Sequence, residues 1–161
     1  MGKLTIVALR IVIALALVGS LGVQFVILPL VWADLEGTED WIRALFVGIL
    51  ALGIVTMQVS AICVWRLLTM VNRGSVFTRG AFRYVDIIIG AIAAGSLLTF
   101  LLAVLLAPGG VAPGIVGLIC GASLVIAGVA LIVLVLRMLL AQAVAREIEA
   151  EQLRSELNEV I

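Results

Sequence analysis

The chain contains no histidine. That removes the commonest metal ligand and the usual general base of a neutral-pH active site. Charge is scarce as well: 12% of the residues are Asp, Glu, Lys or Arg, against about a quarter in an ordinary globular chain. The ten basic and ten acidic residues cancel, so no bulk attraction to nucleic acid follows and direct nucleic-acid binding is not expected. Proline occurs at three positions only, Pro29, Pro108 and Pro113, which leaves long stretches free to be helical.

What is abundant is apolar side chain. Hydrophobic residues make up 65% of the chain and come in blocks with almost no charge inside them. Blocks of this length are the signature of transmembrane helices, which need about 20 apolar residues to cross about 30 Å of hydrocarbon. The first block predicts a span over 11–31, between Arg10 and Asp34. A basic start before an apolar run also fits a signal peptide, and Val31-Trp32-Ala33 weakly resembles a cleavage site. The run is too long for a signal core, and further spans follow, so it reads as a retained helix. Pro29 falls in its last turn, where one lost backbone bond costs least.

The stretch 34–43, DLEGTEDWIR, reads as a polar turn flanked by Trp32 and Trp41 at belt positions. Thr38 is placed to cap the next helix, with acids behind it suiting a positive helix N-terminus. A second span is predicted over 44–65, ending on Trp65 and Arg66, and its helix continues over 67–72 to a left-handed stop at Gly74. Thr78 is a candidate cap for the helix that follows. No charge lies between Asp86 and Arg137, a run about right for two helices. The turn-forming segment 107–114, APGGVAPG, divides it into spans over 87–106 and 115–136. Cys63 and Cys120 then sit at opposite depths, too far apart to bridge, and read as small buried hydrophobes.

Orientation follows from the cations. With the loop 66–86 in the cytoplasm, nine of the ten lysines and arginines lie inside and only Arg43 lies outside. Both termini are then cytoplasmic. The segment 138–161 has no glycine or proline. Its apolar residues Leu140, Val144, Ile148, Leu153 and Leu157 recur at helical spacing, which predicts an amphipathic helix leaving the fourth span.

No acid or base lies inside any predicted span, which argues against a proton-coupled transporter. No catalytic, cofactor-binding or metal-binding residue can be assigned. The intramembrane polar groups include Gln24, Gln58, Ser96 and Thr99. By depth, Gln24 is expected near Thr99 and Gln58 nearer Ser96. They read as interhelical hydrogen-bonding groups or as a small-ligand site. Gly117 and Gly121 form a GxxxG step that Gly128 extends, and Gly90/Ala94 and Ala91/Gly95 give similar spacing. Such faces serve homodimerisation or the packing of the third span on the fourth, and the short turn between those two favours the latter. The loop 66–86 holds Arg66, Arg73, Arg79 and Arg83 against Asp86. Topology alone, anionic headgroups, a protein partner, or pairing with the glutamates of 138–161 would each account for it.

The residues Val71-Asn72-Arg73-Gly74-Ser75-Val76-Phe77-Thr78, followed by Arg83-Tyr84 and Gly90, resemble the core of bacterial domain-of-unknown-function family 2975. Its members are small four-helix membrane proteins with an RG-x-x-F element between the second and third spans and a charged C-terminal segment. VWRLLTMV, AFRYVD and RMLLAQAVA are similar to the high-GC Gram-positive branch. Many relatives end on Leu-Thr-Ile, where this chain ends Leu157-Asn158-Glu159-Val160-Ile161. The resemblance implies no enzyme activity and no cofactor. It also implies proximity to a small helix-turn-helix regulator, hence a partner for the loop and tail.

The expected fold is an all-α membrane protein. It comprises one domain over 1–161 with four transmembrane helices, short loops and a C-terminal cytoplasmic amphipathic helix over 138–161. The expected function is a non-enzymatic inner-membrane protein docking a cytosolic helix-turn-helix regulator through Arg66, Arg73, Gly74, Phe77, Arg79 and Arg83 and the tail. The alternatives are a subunit of an oligomeric channel or small-molecule exporter, and a lipid-organising protein.

Overall fold

The structure, a computed structural model, describes residues 2–72 and 79–159. Within these it is all-α. Helix α1 (Gly2–Gly22) runs through one π turn (Val23–Ile27) into α2 (Leu28–Asp34), so the first apolar block forms a continuous rod. Three long helices follow: α3 (Asp40–Asn72), α4 (Arg79–Leu106) and α5 (Pro113–Glu159). Four helical stretches are long and apolar enough to cross a membrane, Leu4–Asp34, Asp40–Met70, Phe82–Leu106 and Pro113–Glu156. Each contains one of the four spans expected from hydropathy and overruns it at one or both ends.

The π turn has a local cause. Pro29 has no N–H, and its ring crowds the carbonyl four residues back. Immediately before it, the Leu28 N–H reaches five residues back to the Val23 carbonyl. The widened turn absorbs the disruption, and α2 continues beyond it with Pro29 in its first turn. Pro29 therefore does not sit in a fraying last turn, as its position near the end of the apolar run suggests.

The first turn depends on Gly37, whose φ of 108° lies where other L-residues are strained. The helix beyond it starts one residue later than a Thr38 cap requires. The Glu39 carbonyl accepts both the Ile42 and Arg43 N–H groups, so Glu39 takes the capping position. The turn between α4 and α5 closes through Gly109 N–H to the Leu106 carbonyl and through Gly110 at φ 68°. Pro113 then opens α5, where a missing N–H is harmless.

Helices α1 and α2 pack on α3, α3 packs on α4, and α4 packs on α5. Very little of this is a core in the soluble sense. The buried apolar residues among those described are Ile13, Ile49, Cys63, Ala103 and Ala130. Phe25, Leu118 and Leu124 are 77%, 75% and 73% exposed, and they stand for a surface of outward Leu, Ile, Val and Phe along every rod. Water does not tolerate so large a continuous apolar surface, whereas a hydrocarbon surround does.

The α4–α5 contact is made by small residues seven apart. Ser96 and Ala103 lie on α4, and Ser123 and Ala130 lie on α5. Ala103 is fully buried and Ser123 nearly so. The Ser96 hydroxyl donates to the Ser123 carbonyl at 2.8 Å, a bond that close backbone approach permits. The glycine pattern does not mediate this contact. A Cβ on Gly117, Gly121, Gly128 or Gly90 would meet nothing within 4 Å, so those glycines face outward. Gly95 faces α3 rather than α5, with the Thr56 hydroxyl 3.2 Å from where its Cβ would be.

Candidate functional site

Three places bring polar or shaped chemistry together. The first lies mid-rod, where α1 and the π turn meet α3. Gln58 of α3 donates from Nε2 to the Ser20 hydroxyl and to Gln24 Oε1, both at 3.0 Å. Ser20 in turn donates to the Leu17 carbonyl at 2.8 Å. Gln24 is carried by the π turn itself. None of these bonds goes to a backbone carbonyl that Pro29 leaves without a donor. By depth alone Gln24 falls near Thr99 and Gln58 nearer Ser96. The structure instead pairs Gln24 with Gln58, because α1 packs on α3 and depth says nothing about which face a residue occupies. Thr99 donates to the Gly95 carbonyl of its own helix at 2.8 Å, and Ser96 bonds to α5.

The second place is a groove of about 550 Å³ between α3 and α4, with Ile126 of α5 at its edge. Thr56, Ser60 and Thr99 line it. Their hydroxyls are committed to the carbonyls of Gly53, Thr56 and Gly95 on their own helices. With the hydroxyl protons already committed, the groove presents mainly apolar surface to whatever enters.

The third place is the pair of rod ends. Arg10 of α1 lies over the Trp65 ring of α3, 5.8 Å from its centroid, and donates from Nη2 to the Thr69 hydroxyl at 3.3 Å. At the opposite end Arg43 of α3 lies over the Trp32 ring of α2, 4.2 Å from its centroid. The cation and the ring exchange helices from one end to the other. Trp32 follows Arg10 by 22 residues, and Trp65 follows Arg43 by 22, about 33 Å in each case at 1.5 Å per residue. The two clasps are thus spaced by about the thickness of a hydrocarbon core, with amphipathic rings at each border.

Asp86 and Arg137 form a two-contact ion pair between α4 and α5, with Nε to Oδ1 at 2.6 Å and Nη2 to Oδ2 at 2.7 Å. The acid that closes the loop is therefore neutralised by an arginine of α5. Glu147, Glu149, Glu151 and Glu156 are all exposed. Arg66 and Arg83 are exposed too. Arg73, Gly74 and Phe77 lie outside the described residues. Arg79 opens α4, and its side chain also lies outside the description. Cys63 and Cys120 are both free. Among the described residues no group of three or more Cys, Asp or Glu is placed to hold a metal ion.

Of the features used by the structure, sequence reasoning missed the Arg–Trp clasps. Their signal was present as the equal 22-residue spacing from Arg10 to Trp32 and from Arg43 to Trp65. It also missed the seven-residue repeat of serine and alanine, because glycine spacing drew attention first.

No curated protein and no solved structure matches this chain. A family model does, over residues 11–161, which takes in all four long helices and the loop that carries Arg73, Gly74 and Phe77. With that match over nearly the whole length, the chain belongs to the family described as Protein of unknown function (DUF2975).

Proposed function

We propose that this protein is a non-enzymatic, multi-pass protein of the bacterial inner membrane that docks a cytosolic DNA-binding regulator, of helix-turn-helix type, on its C-terminal helix and basic loop. The observation that carries the reading is α5. It runs unbroken for 47 residues, about 70 Å at 1.5 Å per residue, roughly twice what the hydrocarbon requires. Beyond Arg137 every described side chain of α5 except Val144 is exposed. Leu140, Ile148 and Leu153 are 49%, 52% and 60% exposed. A row of uncovered apolar residues on a helix flanked by Glu147, Glu149, Glu151 and Glu156 suits a partner with an apolar groove and a basic surround. DNA-binding domains carry such basic surfaces, so an acidic helix seated there would compete with DNA. Nine of the ten cations fall on one side of the threading, which puts both termini and the loop 66–86 in the cytoplasm with the tail 138–161.

The test is photocrosslinking in cells, with the probe at Ile148 or Leu153 of the full-length protein. The expected product is a covalent adduct with a small helix-turn-helix protein. That adduct should weaken when Arg73 and Arg79 are replaced by glutamate, and the adduct of a second probe placed at Arg66 should disappear when residues 145–161 are deleted. Adducts only between copies of the chain would move the assignment to an oligomeric channel or exporter subunit. The Ser20–Gln24–Gln58 cluster favours that second reading, which requires solute flux from liposomes that Gln58→Leu reduces.

A further inference from the structure

The two Arg–Trp clasps have the same parts and opposite surroundings. At the outer one, Arg43 stands beside the stretch that carries Asp34, Glu36, Glu39 and Asp40. At the inner one, Arg10 has no carboxylate partner among the described residues. Arg66 is exposed on the next helix, one turn before the Thr69 that accepts from Arg10. Of the five N–H donors of the Arg10 guanidinium, one has a partner, Thr69, and Nε is buried without one, as is the Nε of Arg43 at the outer clasp, so it is the surrounding charges that set the two clasps apart. The Trp65 ring and the Thr69 hydroxyl hold the fork in place, so little side-chain freedom is left to lose on binding.

We propose that Arg10, Trp65, Arg66 and Thr69 form a binding site for the phosphate headgroup of an anionic phospholipid. The ligand class follows from position and chemistry together. A planar, pre-oriented guanidinium matches a phosphate better than a point charge does, and Arg66 adds an exposed second cation one turn from the Thr69 partner. The clasp lies at the border of a stretch about as long as a hydrocarbon core is thick, which is where headgroup phosphates sit. The exposed apolar faces of the rods, Leu15 of α1 among them, surround the site with surface that the acyl chains of a lipid can cover and a free phosphate cannot. The outer clasp lacks the second cation, and its acids repel an anion. The site does not depend on what the C-terminal helix binds.

The experiment uses the full-length chain in phosphatidylcholine vesicles containing spin-labelled phosphatidylglycerol or spin-labelled phosphatidylcholine, with the motionally restricted fraction read for each. The native chain is expected to retain phosphatidylglycerol preferentially. In Arg10→Gln and Arg66→Gln that preference should fall toward parity by up to about five-fold per arginine, the weight of one interfacial cation on an anionic surface. Arg43→Gln, which removes the outer cation, should leave the preference intact. Arg10→Lys, which keeps charge and loses the fork, should fall between native and Arg10→Gln. Circular dichroism on each variant separates loss of the site from loss of the helices. Unchanged preference in a folded Arg10→Gln/Arg66→Gln double variant, equal loss in Arg43→Gln, or abolition of the preference by millimolar inorganic phosphate at constant ionic strength would overturn the proposal.

Discussion

Gln58 makes two side-chain hydrogen bonds across the first interhelical contact. Its amide nitrogen is shared between Ser20 and Gln24, each at 3.0 Å. Replacing it with leucine removes both bonds and strands the Gln24 oxygen in an apolar surround. Interhelical hydrogen bonds in membranes are worth about 0.5–2 kcal/mol each. Gln58→Leu is therefore expected to cost about 1–3 kcal/mol, read as a lower midpoint in detergent unfolding. A double-mutant cycle with Gln24→Leu should show coupling, because removing both partners leaves less unsatisfied. Additive losses would mean that the two amides do not interact in the folded protein. That glutamines mattered inside the spans was legible from their rarity there. Which partner each takes was not, because a depth estimate orders residues along one axis and contact needs the rotation of both helices.

At the scale of the element, two substitutions of the same kind should behave differently. Gly90→Ala adds a methyl group into open space and removes a helix-weakening residue, so it should be neutral or stabilise by up to about 1 kcal/mol. Gly95→Ala puts a Cβ 3.2 Å from the Thr56 hydroxyl, which is itself held by its bond to the Gly53 carbonyl. Helix α3 then has to give way, and a loss of about 1–2 kcal/mol relative to Gly90→Ala is expected. Thermal unfolding of the two variants in one detergent makes the comparison, and equal midpoints would contradict the α3–α4 contact at Gly95. The Asp86–Arg137 ion pair between α4 and α5 offers a parallel case. Arg137→Lys keeps the charge and loses the two-pronged contact with Asp86, so a measurable loss is expected where a simple point-charge attraction predicts none. Helix existence and approximate ends were readable from the apolar blocks and their flanking turns. The π turn was not, because Pro29 near the end of a run reads equally as a frayed terminus or as a disturbance that the helix survives.

For the whole molecule, the packing order α1/α2, α3, α4, α5 sets neighbours that follow the chain. A chain that crosses a membrane four times places its odd and even connections on opposite sides. The orientation proposed above gives a direct check. A cysteine introduced at Ser155 should react with a membrane-impermeant maleimide in inverted vesicles and stay protected in intact cells. One introduced at Thr38 should do the reverse. Cys63 and Cys120 lie within the spans and should stay silent in both. Labelling of both introduced cysteines from the same side would break the alternation. The sequence by itself determined that the described residues are all-helical and that the chain has four stretches long and apolar enough to cross a membrane. These properties are carried by composition along a line, and hydrocarbon imposes them on each helix separately. Tertiary structure alone decided which small residues make the α4–α5 contact, which glutamines meet, and that each arginine clasp joins a cation on one helix to a ring on its neighbour. Those depend on helix rotation and register. In an apolar surround, where burial of apolar area no longer discriminates between faces, rotation and register are settled by close packing and by a few hydrogen bonds.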